Sequence, residues 1–231
     1  SISGGAPCNV LSMLNKLGHH TAFLGKVGDD IIADAKIFHF GTLSMTNEPV
    51  RSATRHAIKV AKENGAILSF DPNIRESLWK DMEDAGAQMA YGLSICDILK
   101  ISDNEIQWFS RKEDYTEGIH MLQQTYQIPL ILLSMGKDGS RAYYKGMRVE
   151  RPGFSVKAIE TTGAGDTFCG SSLNYLVRSM PSAPYIKVWL RQPCRTAVKR
   201  NAQICQCSSI HHHNKKRCPA CHAVGGEDSE H

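Results

Sequence analysis

The residues most able to do chemistry lie together in Ile159-Glu160-Thr161-Thr162-Gly163-Ala164-Gly165-Asp166-Thr167-Phe168. Gly163, Ala164 and Gly165 are small enough to let the backbone approach a ligand closely, and the glycines can take dihedrals closed to other residues. An apolar helical pattern follows. Their N–H groups therefore fall at a helix start, where orphan donors and the helix dipole favour an anion. Asp166 stands beside these amides, where a carboxylate can take a proton from a hydroxyl nucleophile. An anion nest next to a base suits phosphoryl transfer: the amides hold charge on the moving phosphate while the carboxylate orients the attacker. The simpler alternative is that Asp166 only caps the helix.

Such a site needs a scaffold, and the hydrophobic pattern supplies one. Helical spacing of apolar residues predicts helices over residues 6–18, 50–64, 82–94 and 116–125. Short apolar runs predict strands over residues 21–25, 37–40, 66–70, 98–101 and 130–133, then a hairpin turning around Lys145-Gly146. Strands alternating with helices imply an α/β fold, a central mostly parallel sheet covered on both faces. In such sheets ligands bind at the carboxyl ends of the strands. The polar groups Asp71/Asn73, Ser102/Glu105 and Ser134/Gly136 all fall at predicted strand ends.

Composition sets the outer bounds. A chain of 231 residues, 42% hydrophobic and 22% charged, can bury one sizeable core. No apolar run approaches the ~18–20 residues of a membrane span, so no membrane partner is expected. The net charge is only +4, and its basic excess collects after Pro184. That run reads as a solvated tail rather than a nucleic-acid surface. Cys8, Cys96 and Cys169 sit in apolar or small-residue settings and read as reduced thiols of a cytoplasmic protein. The other five of the eight cysteines crowd between Cys194 and Cys221. The chain opens on Ser1 without a signal-peptide pattern, and reads as starting inside a longer protein.

The block from Glu160 through Thr-Thr-Gly-Ala-Gly-Asp-Thr-Phe resembles the C-terminal signature of the ribokinase/PfkB family of sugar kinases, with Glu160 where that family often has Asp. Further segments are similar to it. Gly4-Gly5-Ala6-Pro7-Cys8-Asn9-Val10 looks like the substrate-side signature, which implies sugar contacts at Gly4, Gly5 and Asn9. Leu24-Gly25-Lys26-Val27-Gly28-Asp29-Asp30 is also family-like, and its paired Asp29 and Asp30 read as a turn rather than a metal pair. Asp71-Pro72-Asn73-Ile74-Arg75 with Leu78-Trp79 resembles the fructokinase and 2-keto-3-deoxygluconate kinase branch; this implies Asn73 toward phosphates and Arg75 toward substrate. Lys100-Ile101-Ser102-Asp103-Asn104-Glu105 resembles an Asn-x-x-Glu segment. It implies Glu105 acting through water on Mg²⁺, with Ser102 replacing the Asn. On the residues alone, Glu105 is a helix-dipole partner. Ser134-Met135-Gly136-Lys137-Asp138-Gly139 looks like a nucleotide-binding turn, which implies ATP contacts at Ser134, Gly136 and Gly139 and, from the signature block, at Thr161. A plain hairpin turn is the alternative.

The resemblance implies a ribokinase-like three-layer sandwich over residues 1–177, phosphorylating a sugar with ATP and Mg²⁺, fructose first among the candidates. It also exposes departures. The strand that supplies a sugar-binding Asp in the family would lie before Ser1. Asp30 runs almost directly into residues 32–40, where the family inserts the β-sheet lid that closes over the sugar and mediates dimers. The lid is therefore expected to be absent, which leaves the oligomeric state open. Residues 178–231 form a basic tail with Cys205-Gln206-Cys207, His211-His212-His213 and Cys218-Pro219-Ala220-Cys221-His222. That spacing can bind zinc. The reading preferred here is an out-of-frame, disordered tail, because plausible codons for Lys199–Val224 shifted by one base resemble the family's C-terminal Ala/Asn-rich helix and Thr-rich turn. Another sugar kinase, a non-catalytic fragment and a zinc-binding remnant remain as alternatives.

Overall fold

The computed structural model describes residues 6–22, 28–144, 146–153 and 163–179. Strands β1 (Ile37–Phe40), β2 (Ile67–Phe70), β3 (Ile98–Ser102), β4 (Leu130–Ser134), β5 (Ser140–Tyr144) and β6 (Met147–Arg151) form one sheet whose order follows the chain. The first four strands run parallel; β5 and β6 add an antiparallel hairpin at one edge. Parallel neighbours need crossovers. Here α3 (Val50–Glu63), α4 (Met82–Ile95), α5 (Asp103–Ser110) and α6 (Tyr115–Tyr126) provide them.

Local chemistry starts these helices where the site needs them. Asp81 caps α4 by accepting from the Glu83 N–H at 2.9 Å, and Asp114 caps α6 by accepting from the Thr116 N–H. Ser102, the last residue of β3, opens α5 through a reciprocal capping box with Glu105. The strand end and the helix start are thus one covalent corner.

Strand side chains alternate between two cores. Phe40, Leu68, Phe70, Leu99, Ile101, Ile131 and Leu133 pack under α3–α6, with Ile58, Met89, Leu93, Ile106, Ile119 and Leu122. Ile67, Ile98, Leu130, Leu132 and Ala142 face the other way, against Val10 of α1 (Ala6–Lys16) and Phe168, Cys169, Leu173 and Leu176 of α7 (Ala164–Ser179). The result is the three-layer sandwich expected from the sequence. On this second face His39 lies in the row of Ser69 and Ile98, and the same register places Asp71 beside Lys100.

Two expectations change. Asp29 and Asp30 do not form a turn. They open a short helix, α2 (Asp29–Ala33), where acidic side chains suit the helix N-terminus, and Asp29 Oδ1 lies 3.0 Å from His56 Nε2. Thr21 and Ala22, expected to start a strand, are irregular. Leu24–Val27, the hairpin tip at Lys145 and the whole Cys/His tail lie outside the described residues.

Candidate functional site

The candidate catalytic residues sit where α7 begins, over the carboxyl end of the sheet. Gly163 has φ +81°, in the left-handed region that favours glycine, and its carbonyl accepts from both the N–H and the hydroxyl of Thr167 at 2.9 Å. This turn brings Asp166 round to α1, where Asn9 Nδ2 donates to Asp166 Oδ2 at 2.8 Å. Asp166 is only 8% exposed. The two helices meet closely because residue 170 is glycine: a Cβ there would stand 3.1 Å from the Val10 carbonyl oxygen. The pairing of Asn9 with Asp166 joins two sequence candidates that are 157 residues apart.

Beneath the first turn of α7 lies a feature the sequence reading passed over. Lys100 projects from the middle of β3 and is 6% exposed. Its ammonium donates to Asp71 Oδ1 at 3.2 Å and stands 3.1 Å from Oδ2, which is outside hydrogen-bond geometry and has no hydrogen-bond partner among the described residues. Gly165 rests directly on this lysine: a Cβ at 165 would come within 2.9 Å of Nζ. The two glycines of the motif therefore serve different ends. Gly163 permits a dihedral, and Gly165 permits contact with a buried cation.

The electrostatics follow from one ammonium among several carboxylates. Burial pushes the Asp71 carboxyl up to about 7; Lys100 opposes this, while Glu105 and Asp166 add to it. Burial pulls Lys100 down, but Asp71 and Glu105 outweigh it and hold the ammonium charged. Burial, helped by Lys100, lowers His39 to about 4, so its ring is neutral near pH 7. His39 Nδ1 lies 3.1 Å from Ser69 Oγ.

Glu105 is fully engaged as a clamp. Its Oε2 accepts from the Ser102 N–H at 2.9 Å and the Ser102 hydroxyl at 2.7 Å, and its Oε1 accepts from the Ile74 N–H at 3.0 Å. It ties the β3–α5 corner to the turn after β2. Asn73 occupies that turn at φ +48° and is 9% exposed. With Pro7, His39, Gly41, Leu43, Ser44 and Asp71 it lines a hollow at the carboxyl ends of β1 and β2. Arg75 instead is exposed, its guanidinium against the carbonyl of Ile74 at 3.4 Å.

The remaining candidates divide. Ser134 pairs in register with Ser102 on the rim of the sheet. Gly136 and Gly139 belong to the tight turn joining β4 to β5, closed by the Met135 N–H donating to the Gly139 carbonyl at 2.9 Å. Gly139 packs against the backbone of residues 151–153, a structural reason for that glycine. Gly4, Gly5 and Thr161 lie outside the described residues. The missed pair, Lys100 with Asp71, did leave a sequence signal: a lone lysine inside the apolar strand Ile98-Leu99-Lys100-Ile101 needs a partner if it is buried.

Comparison with known proteins places the fold and the family. Solved structures with the same fold include a fructokinase from Xylella fastidiosa with bound ATP, at TM-score 0.74 and 22% identity, covering 88% of this chain and 83% of that one. A fructokinase from Vibrio cholerae O395 bound to fructose, ADP and calcium aligns at TM-score 0.73 and 22% identity, over 96% of this chain and 90% of that one. Among sequence relatives, probable fructokinase-2 of Arabidopsis thaliana is 31% identical over 237 residues, 75% of this chain and 72% of that protein. Putative fructokinase-8 of the same plant is 41% identical over 143 residues, 62% of this chain and 68% of that protein. Residues 29–199 match the model of the pfkB family of carbohydrate kinases, running past Val177 into the tail. With most of the chain inside that match, and with a relative above 30% identity covered over more than two thirds of its length, this chain belongs to the pfkB carbohydrate kinase family.

Proposed function

We propose that this chain phosphorylates a hydroxyl of fructose at the expense of ATP, with Asp166 as general base and the amides at residues 163–165 as the phosphoryl nest. The observation that carries the reading is the Asn9–Asp166 hydrogen bond at the start of α7. It aims a nearly buried carboxylate beside an anion-binding helix start, the arrangement an alcohol nucleophile requires. The relatives' names point to fructose as the acceptor.

Asn9 orients the base and stands on the sugar side, with Arg75 as a further substrate contact. Asn73, Ser102 and Ser134 line the strand ends that would receive the nucleotide, and Gly136 and Gly139 its flanking turn. Bound Mg²⁺ would supply charge neutralisation to the transfer. Mg²⁺ keeps several waters and few protein ligands. Glu105 fits that demand only at a distance, since both its oxygens already accept from Ile74 and Ser102.

The alignment with probable fructokinase-2 spans 237 positions yet takes in 75% of this chain, so part of the relative has no counterpart here. That supports a lidless core open to solvent on the sugar side. For the tail, the out-of-frame reading stands against zinc binding. No helix of the described residues is long and apolar enough to cross a membrane. The test is a coupled ADP-release assay of the purified chain over a panel of sugars. Turnover highest with fructose supports the reading; turnover with 2-keto-3-deoxygluconate alone reassigns the substrate.

A further inference from the structure

Three observations converge on Lys100. First, it is the buried cation of a face that is otherwise apolar at the neighbouring strand positions Ile98, Leu130 and Leu132. Second, its ammonium touches Gly165, so the charge stands under the first turn of α7 rather than elsewhere on the sheet. Third, its counterion Asp71 has one oxygen without a hydrogen-bond partner among the described residues; of those residues, Glu105, Cys169 and His39 share the field of the ammonium, and Asp166 acts on Asp71.

None of this favours the free protein. A buried ion pair is often no better than apolar residues of the same volume. A cation beneath a helix N-terminus also opposes the helix dipole. Both penalties fall when an anion occupies the nest above. We infer that Lys100 is a positioning residue for phosphoryl transfer: paired with Asp71 and pressed against Gly165, it adds a fixed positive charge behind the amides of the nest and holds the transferred phosphoryl group there. The inference rests on the kinase reading above and names the residue that reading lacks. Lys100 acts through the α7 backbone, because Gly165 stands between its ammonium and the space above the helix start.

The experiment compares the wild-type chain with Asp71→Asn and with the double variant Lys100→Met/Asp71→Asn, which removes the charge without orphaning a carboxylate. Asp71→Asn leaves Glu105 to oppose the burial of the ammonium and should lower kcat by less than the double variant does. The double variant should lose kcat by roughly tenfold to hundredfold, in line with loss of one preorganised oxyanion contact, with KM for the sugar within about twofold. Its unfolding midpoint should match or exceed that of Asp71→Asn. A double variant with the kcat of Asp71→Asn overturns the inference. So does one that no longer unfolds cooperatively, because the charge would then be needed by the fold. Wild-type turnover scores the kinase reading by itself. If the wild type turns over no sugar, that reading fails, and calorimetric titration with ATP decides the inference: roughly tenfold weaker binding by the double variant supports it, and equal binding overturns it.

Discussion

Asn9 Nδ2 and Asp166 Oδ2 stand 2.8 Å apart, across the packed faces of α1 and α7. The bond fixes the carboxylate's orientation from α1, while the two bonds from Thr167 to the Gly163 carbonyl fix the backbone turn that carries it. Asn9→Ala removes the donor. Hydrogen bonds to charged groups contribute about 1.5–3 kcal/mol, so kcat should fall by about tenfold or more with the fold intact. Steady-state kinetics with circular dichroism would check this; an unchanged kcat would detach Asn9 from the base.

The two glycines of the nest should respond oppositely to alanine. Gly163→Ala forces a side chain into φ +81° and should cost about 1–2 kcal/mol of stability in denaturant melts. Gly165→Ala sits in the helix, where alanine gains up to about 1 kcal/mol of propensity. Its Cβ would nevertheless displace Lys100. Stability should hold while turnover drops. Equal stability losses would show that the contact with Lys100 does not matter.

Glu105 should behave as a clamp before it behaves as a metal residue. Glu105→Ala removes the capping box and frees the turn carrying Asn73. A cap loss alone costs ~0.5–2 kcal/mol, and the tie to Ile74 adds to it. The unfolding midpoint in urea should fall without Mg²⁺ present. If the variant is destabilised only when Mg²⁺ and nucleotide are bound to the wild type, the clamp assignment is wrong.

Asp71 and His39 should bend the stability–pH curve in opposite directions. Asp71 is raised from 3.8 to about 7, so the folded state holds its proton longer, and its contribution is lost as pH rises from about 4 to 7. His39 is lowered from 6.5 to about 4, so its contribution grows as pH rises through about 4 to 6.5. The two partly cancel. Urea melts between pH 4 and 8 should show a stronger rise with pH for Asp71→Asn and a stronger fall for His39→Gln. Parallel curves for the wild type and both variants would contradict the buried charges.

Much of this was readable in the chain. Periodicity placed the four parallel strands and, between them, α3, α4 and α6, with the cap at Asp81 and Gly65 among the boundary signals; it did not place α5, which is short. The motif around Asp166 announced itself for the same local reason. Lys100 did not, because its meaning comes from Asp71, 29 residues away, and from a helix that arrives still later. Glu105 was legible as a helix-start acid; its bond to Ile74 depends on two strand ends lying side by side. Asp29 and Asp30 misled because an acidic pair after glycine suits a turn and a helix start equally.

The proposed role of Asp166 as the base of a sugar kinase can be tested directly. The direct measurement is ATP-dependent fructose phosphorylation by the wild-type chain and by Asp166→Asn, in one assay and with matched unfolding curves. General-base loss costs about 10²–10⁴-fold, so the wild type should turn over and the variant should fall by that factor while still binding ATP. Comparable turnover in the two proteins would contradict the account.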